Sequence, residues 1–174
     1  MAVQGVESEP AALRGYAVAA LREEGRWRCA PLASETLVDL DAAITALRDI
    51  RSTGAVVGLL DVDDEFFVVV RPVPGGVRLL LSDACAALDY DIAADVLDLL
   101  RIDLPSEDDD GDLWPAGDLG LLADLGMPEP ELNLIVDEVD LYPDEQLDMI
   151  ASRCGFQAEL LAAVSGSDAG PPDA

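Results

Sequence analysis

The chain has 174 residues, and its 36 acidic and 10 basic side chains give a net charge of -26 at neutral pH. This length suits one domain with an appendage, because a domain of roughly 100 to 150 residues already buries most of its apolar surface. The charge disfavours direct nucleic-acid binding, because affinity for phosphate needs clustered cations and the ten arginines are scattered along the sequence.

Histidine and lysine are absent from the sequence. Without histidine the chain lacks the usual general base and the commonest metal ligand. Cys29, Cys85 and Cys154 are far apart and odd in number, which argues against a disulfide framework and for a reducing compartment. No signal peptide is evident, and the apolar runs are shorter than the ~20 residues that a membrane-spanning helix needs. We therefore expect a cytoplasmic protein that does not bind membranes.

The first predicted elements follow a flexible tail at residues 1–13. Two extended segments at 16–21 and 27–32 are joined by a turn-rich connector of hairpin length, which predicts a pair of strands. Thr36 followed by Asp39 is a variant of the capping box, and it predicts the start of a helix.

Three runs rich in Val, Leu and Phe come next along the chain. Short connectors with turn-forming residues separate them, so they predict an antiparallel meander. The predicted strands lie at residues 55–60, 65–71 and 77–81. Apolar residues at helical spacing then predict a second helix at about 90–102.

The fold class that follows is α+β, with the element order β-β-α-β-β-β-α. We predict a five-stranded antiparallel sheet at residues 14–102, with both helices packed against one face. This order is similar to profilin-like and longin-like modules, which usually act as binding platforms. The likeness concerns the fold, and a fold does not determine a function.

The C-terminal part of the chain is more acidic than the rest. Residues 1–101 carry a net charge of -8 and residues 102–174 a net charge of -18. An acidic linker is predicted at 103–118, because blocks of like charge repel each other. A helical region at 119–164 and a flexible tail at 165–174 follow.

The helix with the clearest start and stop signals in the C-terminal region is Pro143–Cys154. Pro143 suits the first helical position, and Asp144 and Glu145 suit the positive end of the helix. Gly155 ends it. Whether these helices pack on the sheet stays open.

Carboxylates are the only abundant reactive groups, and none of their clusters has the spacing of a known site. The run that begins at Asp61 resembles the start of a calcium loop, but its sixth residue is Phe66 and its twelfth is Pro72. Weak binding of divalent cations and a merely charged hairpin tip are the two alternatives there. Ser82 and Asp83 follow a strand and are interpreted as a helix cap.

No zinc-site, phosphate-loop or deaminase motif occurs in the sequence. We therefore expect no catalytic residues, no cofactor and no metal ion. An enzyme that uses carboxylates alone is a minor alternative.

The acidic surface itself is a candidate binding feature, because it can dock on the basic groove of a protein that binds nucleic acid. The competing interpretation is that the charge only keeps the protein soluble. Trp114 follows the acidic block and is a candidate anchor for a partner, although it could equally pack on the sheet. The candidate partner-binding residues are Glu107, Asp108, Asp109, Asp110, Asp112 and Trp114.

Several segments together resemble the tRNA adenosine deaminase-associated protein family. They are residues 63–71 (DDEFFVVVR), 77–84 (VRLLLSDA), 121–126 (LLADLG), 141–145 (LYPDE) and 153–156 (RCGF). The resemblance covers about residues 16–164, and it implies a role near tRNA wobble adenosine deamination as a partner of the deaminase. It implies no activity, cofactor or catalytic residue.

The leading hypothesis is a non-enzymatic acidic accessory protein that binds another protein through its sheet module or its acidic C-terminal half. The tRNA adenosine deaminase is the expected partner. The alternative is a nucleic-acid-mimicking inhibitor of a basic nucleic-acid-binding protein. The oligomeric state stays open.

Overall fold

The computed structural model describes residues 14–105, 114–138 and 140–169. Within them, six strands form one antiparallel sheet in the order β2-β1-β3-β4-β5-β6. The strands are β1 (Gly15–Glu23), β2 (Arg26–Pro31), β3 (Ala55–Val62), β4 (Phe66–Val73), β5 (Gly76–Leu81) and β6 (Ala116–Gly117). The α+β class and the antiparallel sheet are confirmed.

The predicted number of five strands is wrong, because β6 adds a sixth at the edge of the sheet. Ala116 pairs with Leu81, and Gly117 pairs with Leu80. A strand of two residues is too short to show an alternating pattern, so it lay within the predicted linker. Gly117 adopts φ 117°, and a Cβ atom there would lie 2.2 Å from the Leu79 carbonyl oxygen, so this close approach requires glycine.

Five helices of the described residues flank the sheet. They are α1 (Leu40–Arg48), α2 (Asp91–Leu100), α3 (Glu129–Val136), α4 (Pro143–Cys154) and α5 (Gln157–Ala169). Short 3-10 turns lie at Ser34–Leu37, Ala84–Leu88 and Ala123–Leu125. The helix predicted at Pro143–Cys154 is confirmed, and Gly155 adopts the left-handed conformation that ends it.

The predicted cap of α1 is wrong. Thr36 lies in a 3-10 turn, where its hydroxyl donates to the Ala33 carbonyl oxygen at 2.7 Å. Asp39 caps α1 instead, and its carboxylate accepts from the Asp41 N–H at 3.0 Å. Two capping signals stand three residues apart here, and the later one begins the α-helix.

Helices cover both faces of the sheet. The two helices predicted for residues 14–102, α1 and α2, share one face as expected, and the C-terminal helices, whose packing the sequence left open, cover the other. One core lies between the sheet and helices α1 and α2, and the other lies between the sheet and the C-terminal helices. In β4 every residue from Phe66 to Val70 is at most 1% exposed. A continuous apolar run of this kind is typical of a strand that is buried on both faces.

The C-terminal helices are joined to the sheet by an aromatic contact. The rings of Trp27 on β2 and Phe156 before α5 lie 4.6 Å apart at 43°. The Trp27 indole N–H also donates to the Cys154 carbonyl oxygen at 3.2 Å. These helices therefore form part of the same folded unit as the sheet.

Candidate functional site

The antiparallel order sorts charged residues to opposite ends of the sheet. Arg22 pairs with Trp27 near the β1–β2 turn, and Arg71 pairs with Arg78 near the β4–β5 turn, so these cations share one end. The β3–β4 turn, with Asp63 and Asp64, lies at the other end. Arginines that are scattered in the sequence are thus gathered by the fold.

The basic end contains a cavity of about 650 Å³ whose lining includes Arg22, Arg48 and Arg71. Arg71 makes two hydrogen bonds to the Asp124 carboxylate, at 2.6 and 2.9 Å, and a third to the Leu121 carbonyl oxygen. Arg48 donates to the Gly76 carbonyl oxygen. The Arg22 guanidinium lies 5.9 Å from the centre of the Trp27 ring, so all three cations contact groups of the protein itself.

At the acidic end, Asp61, Asp64 and Asp144 form a group that we call the carboxylate cluster. Each residue contributes one carboxylate oxygen, and the three oxygens all lie within 4.8 Å of one another. Three different elements supply them, namely the end of β3, the β3–β4 turn and the first turn of α4.

Strand alternation places Asp61 beneath α4. Leu59 and Val57, two and four residues earlier in β3, belong to the core between the sheet and the C-terminal helices. Side chains at every second position of a strand point to the same face, so Asp61 faces this layer as well. Its neighbours on the adjacent strands are Tyr16 and Phe67.

Asp61 is the most buried carboxylate of the cluster, with 1% of its surface exposed. Its Oδ1 atom has no hydrogen-bond partner among the described residues. Burial is the main reason that the pKa of Asp61 is raised to about 7, and the nearby charges of Asp64 and Asp144 contribute to the same rise.

The β3–β4 turn is held in a defined conformation. Asp63 and Asp64 both adopt φ 59°, and the Glu65 N–H donates to the Val62 carbonyl oxygen, as in a two-residue hairpin turn. The Asp63 carboxylate accepts from the Tyr90 hydroxyl at 2.7 Å, which lowers the pKa of Asp63.

Arg14 approaches the same turn from the start of the described chain. Its backbone N–H donates to the Asp63 carboxylate at 3.2 Å, and its guanidinium lies 3.9 Å from Asp64. The Arg14 side chain is 75% exposed, so this ion pair is weak.

Asp148 extends the acidic surface along α4, one turn after Asp144. Its Oδ2 accepts from the Gln157 side-chain N–H at 2.8 Å, whereas its buried Oδ1 has no hydrogen-bond partner in the described ranges. Burial raises the pKa of the Tyr16 hydroxyl, and the charges of Asp61, Asp144 and Asp148 add to that rise. The region around Tyr16 is thus strongly negative.

A groove of about 460 Å³ opens beside the cluster, and we call it the α4–α5 groove. Its apolar part includes Met149 and Leu161, which are 41% and 54% exposed. The full lining is Tyr16, Leu141, Asp144, Glu145, Asp148, Met149, Gln157, Leu160, Leu161 and Val164. The groove therefore combines an apolar surface with three carboxylates, and none of its described lining residues is a cation.

A second cavity, of about 440 Å³, lies on the other side of α4's first turn. Asp64, Ser82 and Asp83 line it. Asp83 caps the following 3-10 turn by accepting from the Cys85 N–H, while the Ser82 hydroxyl oxygen accepts from the Phe67 N–H at 2.9 Å. The predicted capping role is thus filled by Asp83 rather than by Ser82.

Of the predicted partner-binding residues, the structure describes Trp114. Trp114 is partly buried and packs against the core beneath α1 and α2, and its carbonyl oxygen accepts from the Ala84 N–H. Trp114 is not among the described residues that line the α4–α5 groove. The predicted residues Glu107, Asp108, Asp109, Asp110 and Asp112 lie outside the described residues.

Two of the three thiols are poorly suited to act as nucleophiles. Burial raises the pKa of Cys29 to about 12 and that of Cys154 to about 11. The thiolate is the reactive form of cysteine, so both side chains are nearly unreactive at neutral pH.

Among the described residues, no helix has both the length and the apolar composition needed to cross a bilayer.

Comparisons with known proteins agree with the resemblance seen in the sequence. A family model described as Rv3753c-like tRNA adenosine deaminase-associated protein matches residues 15–157. A curated protein of Mycobacterium tuberculosis (strain ATCC 25618 / H37Rv), Protein Rv3753c, is 60% identical over 151 residues, which cover 86% of this chain and 87% of the relative. No solved structure matches the chain.

Proposed function

This chain belongs to the Rv3753c-like tRNA adenosine deaminase-associated protein family, and from that membership we propose that it is a non-enzymatic accessory protein that binds the tRNA adenosine deaminase. The family description supports the association with the deaminase, and it describes the members as associated proteins rather than as deaminases. The binding surface in this proposal is the α4–α5 groove.

The observation that carries the proposal is the composition of that groove. Single exposed apolar side chains are common on protein surfaces and need no explanation. Here, however, Met149 and Leu161 line one concave surface together with the carboxylates of Asp144 and Asp148. A surface of this kind matches a segment that is apolar on one side and basic on the other.

The deaminase is a suitable source of such a segment for a physical reason. A protein that binds tRNA must present lysines and arginines to the phosphate backbone, so its surface carries basic regions. An amphipathic basic helix from that surface would place its apolar residues on Leu161 and its cations beside Asp144 and Asp148. The net charge of -26 would speed the encounter, most strongly at low salt.

A binding titration between the purified deaminase and the full chain tests the proposal. We expect saturable binding that weakens between low and physiological ionic strength, because salt screens the charge attraction. Absence of binding at both ionic strengths would contradict the named partner.

Repeating the titration with tRNA present separates this function from nucleic-acid mimicry. An accessory protein leaves tRNA binding intact, so we expect all three molecules in one complex. Mutual exclusion of tRNA and this chain would instead favour an inhibitor that imitates nucleic acid.

A further inference from the structure

The carboxylate cluster has the dimensions of a site for a hard cation. Calcium binds oxygen atoms at 2.3–2.6 Å, so two oxygens on opposite sides of one ion lie about 4.8 Å apart. The cluster oxygens of Asp61, Asp64 and Asp144 all lie within that distance of each other. Magnesium demands a near-ideal octahedral geometry and gives up its water ligands reluctantly, so three protein carboxylates suit it less well than they suit calcium.

A second observation points to a ligand independently of the clustering. Asp61 is 1% exposed, and its Oδ1 is buried without a hydrogen-bond partner in the part of the chain that the structure describes. A buried carboxylate oxygen without a partner is costly, and proteins normally pair buried carboxylates with hydrogen-bond donors, a cation or a metal ion. The three acids also repel one another, which adds to the cost.

Within the described ranges, arginine side chains do not neutralise the buried carboxylate of Asp61. The ion pair at the cluster joins Arg14 to Asp64 at 3.9 Å, and the Arg14 side chain is 75% exposed. Asp61 and Asp144 form no ion pair with a described arginine. The first turn of α4 offers only the partial positive charge of a helix N-terminus.

From the spacing of these oxygens and the unpartnered oxygen of Asp61, we propose that the carboxylate cluster binds one hard divalent cation, Ca²⁺ in preference to Mg²⁺. Three carboxylates and no nitrogen or sulfur ligand favour this class of ion over zinc or copper. The bound ion would join the β3–β4 turn to α4, two segments that are distant in the sequence.

The surroundings give the ion a path and room for water ligands. Asp64 lines the cavity of about 440 Å³, and Asp144 lines the α4–α5 groove on the other side. Calcium takes six to eight oxygen ligands, so water must complete the shell around three carboxylates. Because the shell is partly water, we expect a dissociation constant on the order of 10⁻⁴ M.

Calorimetric titration of the metal-stripped full chain with CaCl₂ at physiological ionic strength tests the proposal. We expect one saturable site for Ca²⁺, weaker binding of Mg²⁺, and a melting temperature that rises with Ca²⁺ concentration. Diffuse attraction of cations to an acidic protein is largely screened at this ionic strength. The proposal would be overturned if the titration showed no saturable heat of Ca²⁺ binding and the melting temperature did not change with Ca²⁺ concentration.

Two variants distinguish Ca²⁺ binding at the carboxylate cluster from a general attraction of Ca²⁺ to the negative charge of the protein. Asp61→Asn removes one ligand charge and should weaken Ca²⁺ binding about tenfold or more. The same change should keep or raise the melting temperature of the metal-free protein, because a buried charge is removed. Loss of folding is therefore not the expected cause of lost binding, and the metal-free melting temperature checks this directly.

Asp98→Asn is the matched control, since it removes the same charge from an exposed position on α2. It should leave Ca²⁺ binding unchanged. Equal weakening in both variants, or unchanged binding in Asp61→Asn, would show that the cluster is not the site. The assay uses this chain alone, so its outcome does not depend on whether the deaminase binds.

Discussion

The indole N–H of Trp27 donates to the carbonyl oxygen of Cys154 at 3.2 Å, and this bond links the β1–β2 hairpin to the end of α4. The carbonyl lies in the last turn of the helix, where no intrahelical donor is available. The adjacent Phe156 ring packs on the same indole. One side chain thus holds the C-terminal helices at the basic end of the sheet.

Substitution of Trp27 should measure the strength of this link. Trp27→Phe keeps the ring contact with Phe156 but removes the N–H, so we expect a loss of about 1 kcal/mol in the free energy of unfolding. Trp27→Ala also removes the ring and should cost about 3 kcal/mol. Urea denaturation checks both values, and equal losses in the two variants would assign the whole effect to the hydrogen bond.

Truncation after Pro105 should prevent stable folding of the remaining sheet. The removed helices cover the face that carries Leu59, Phe67 and Leu80, each fully buried in the intact protein. An exposed apolar face of this size favours aggregation or a loosely packed state. We expect binding of a hydrophobic dye and no cooperative unfolding transition. A truncated chain that unfolds cooperatively and binds no dye would show that the sheet folds alone.

Substitution at the α4–α5 groove should weaken binding of the deaminase. Leu161→Glu places a carboxylate where the apolar side of the partner's helix would pack. The change removes apolar contact, and the new charge gains no attraction because the helix directs its cations toward Asp144 and Asp148 instead. We expect at least tenfold weaker binding, about 1.4 kcal/mol, in a titration at physiological salt. Leu134→Glu, at an exposed leucine on α3 outside the groove, is the control and should bind as the unmodified chain does.

The thiols of Cys29 and Cys154 should resist alkylation in the folded protein. Their pKa values of about 12 and about 11 keep both protonated at mildly alkaline pH, and only the thiolate reacts. We expect iodoacetamide to label them roughly 100-fold to 1,000-fold more slowly than in the urea-unfolded chain, as measured by mass spectrometry. Similar rates in the two states would contradict the burial of these thiols.

Acid should weaken the fold partly through Asp124. The hydrogen bonds from Arg71 lower the pKa of Asp124 below its value in the unfolded chain. The ion pair therefore stabilises the protein above the unfolded pKa, and this contribution disappears as the pH falls through the lower folded value.

Asp124→Asn should accordingly lower stability near neutral pH by about 0.5 kcal/mol, since the carboxylate is 62% exposed and screened by water. The difference from the unmodified chain should vanish at strongly acidic pH. Urea titrations across the acid range measure it, and a difference that is independent of pH would mean that the charge of Asp124 contributes nothing.

Local signals in the sequence predicted the local structure well. Pro143 and Gly155 mark the ends of α4, and the structure places the helix between them. The run from Phe66 to Val70 is typical of a strand that is buried on both faces. The packing of the C-terminal helices on the sheet nevertheless stayed open, because no local pattern in those helices identifies the surface that they contact. The two-residue strand β6 gave no signal, because its pairing depends on a partner strand distant in sequence.

The carboxylate cluster could be predicted only in part. Asp61 and Asp64 stood out as a run that fails the calcium-loop pattern, which assumes ligands from one continuous segment. Side chains alternate between the two faces of a strand, so Asp61 shares a face of β3 with Leu59, which is buried. This alternation would also have placed Asp61 on an inward face. The third member, Asp144, comes from a helix far along the chain, and no spacing rule connects it to a turn between strands.

Arg22, Arg48 and Arg71 lie at one end of the sheet and the carboxylate cluster lies at the other, so the negative charge of the protein is unevenly distributed along the strands. A field exerts a torque on such a molecule, so a charged partner turns it before the two surfaces touch. A basic partner therefore meets the β3–β4 end first, where the carboxylate cluster and the acidic first turn of α4 lie. Antiparallel strand order thus sets the direction of approach, which net charge alone cannot specify.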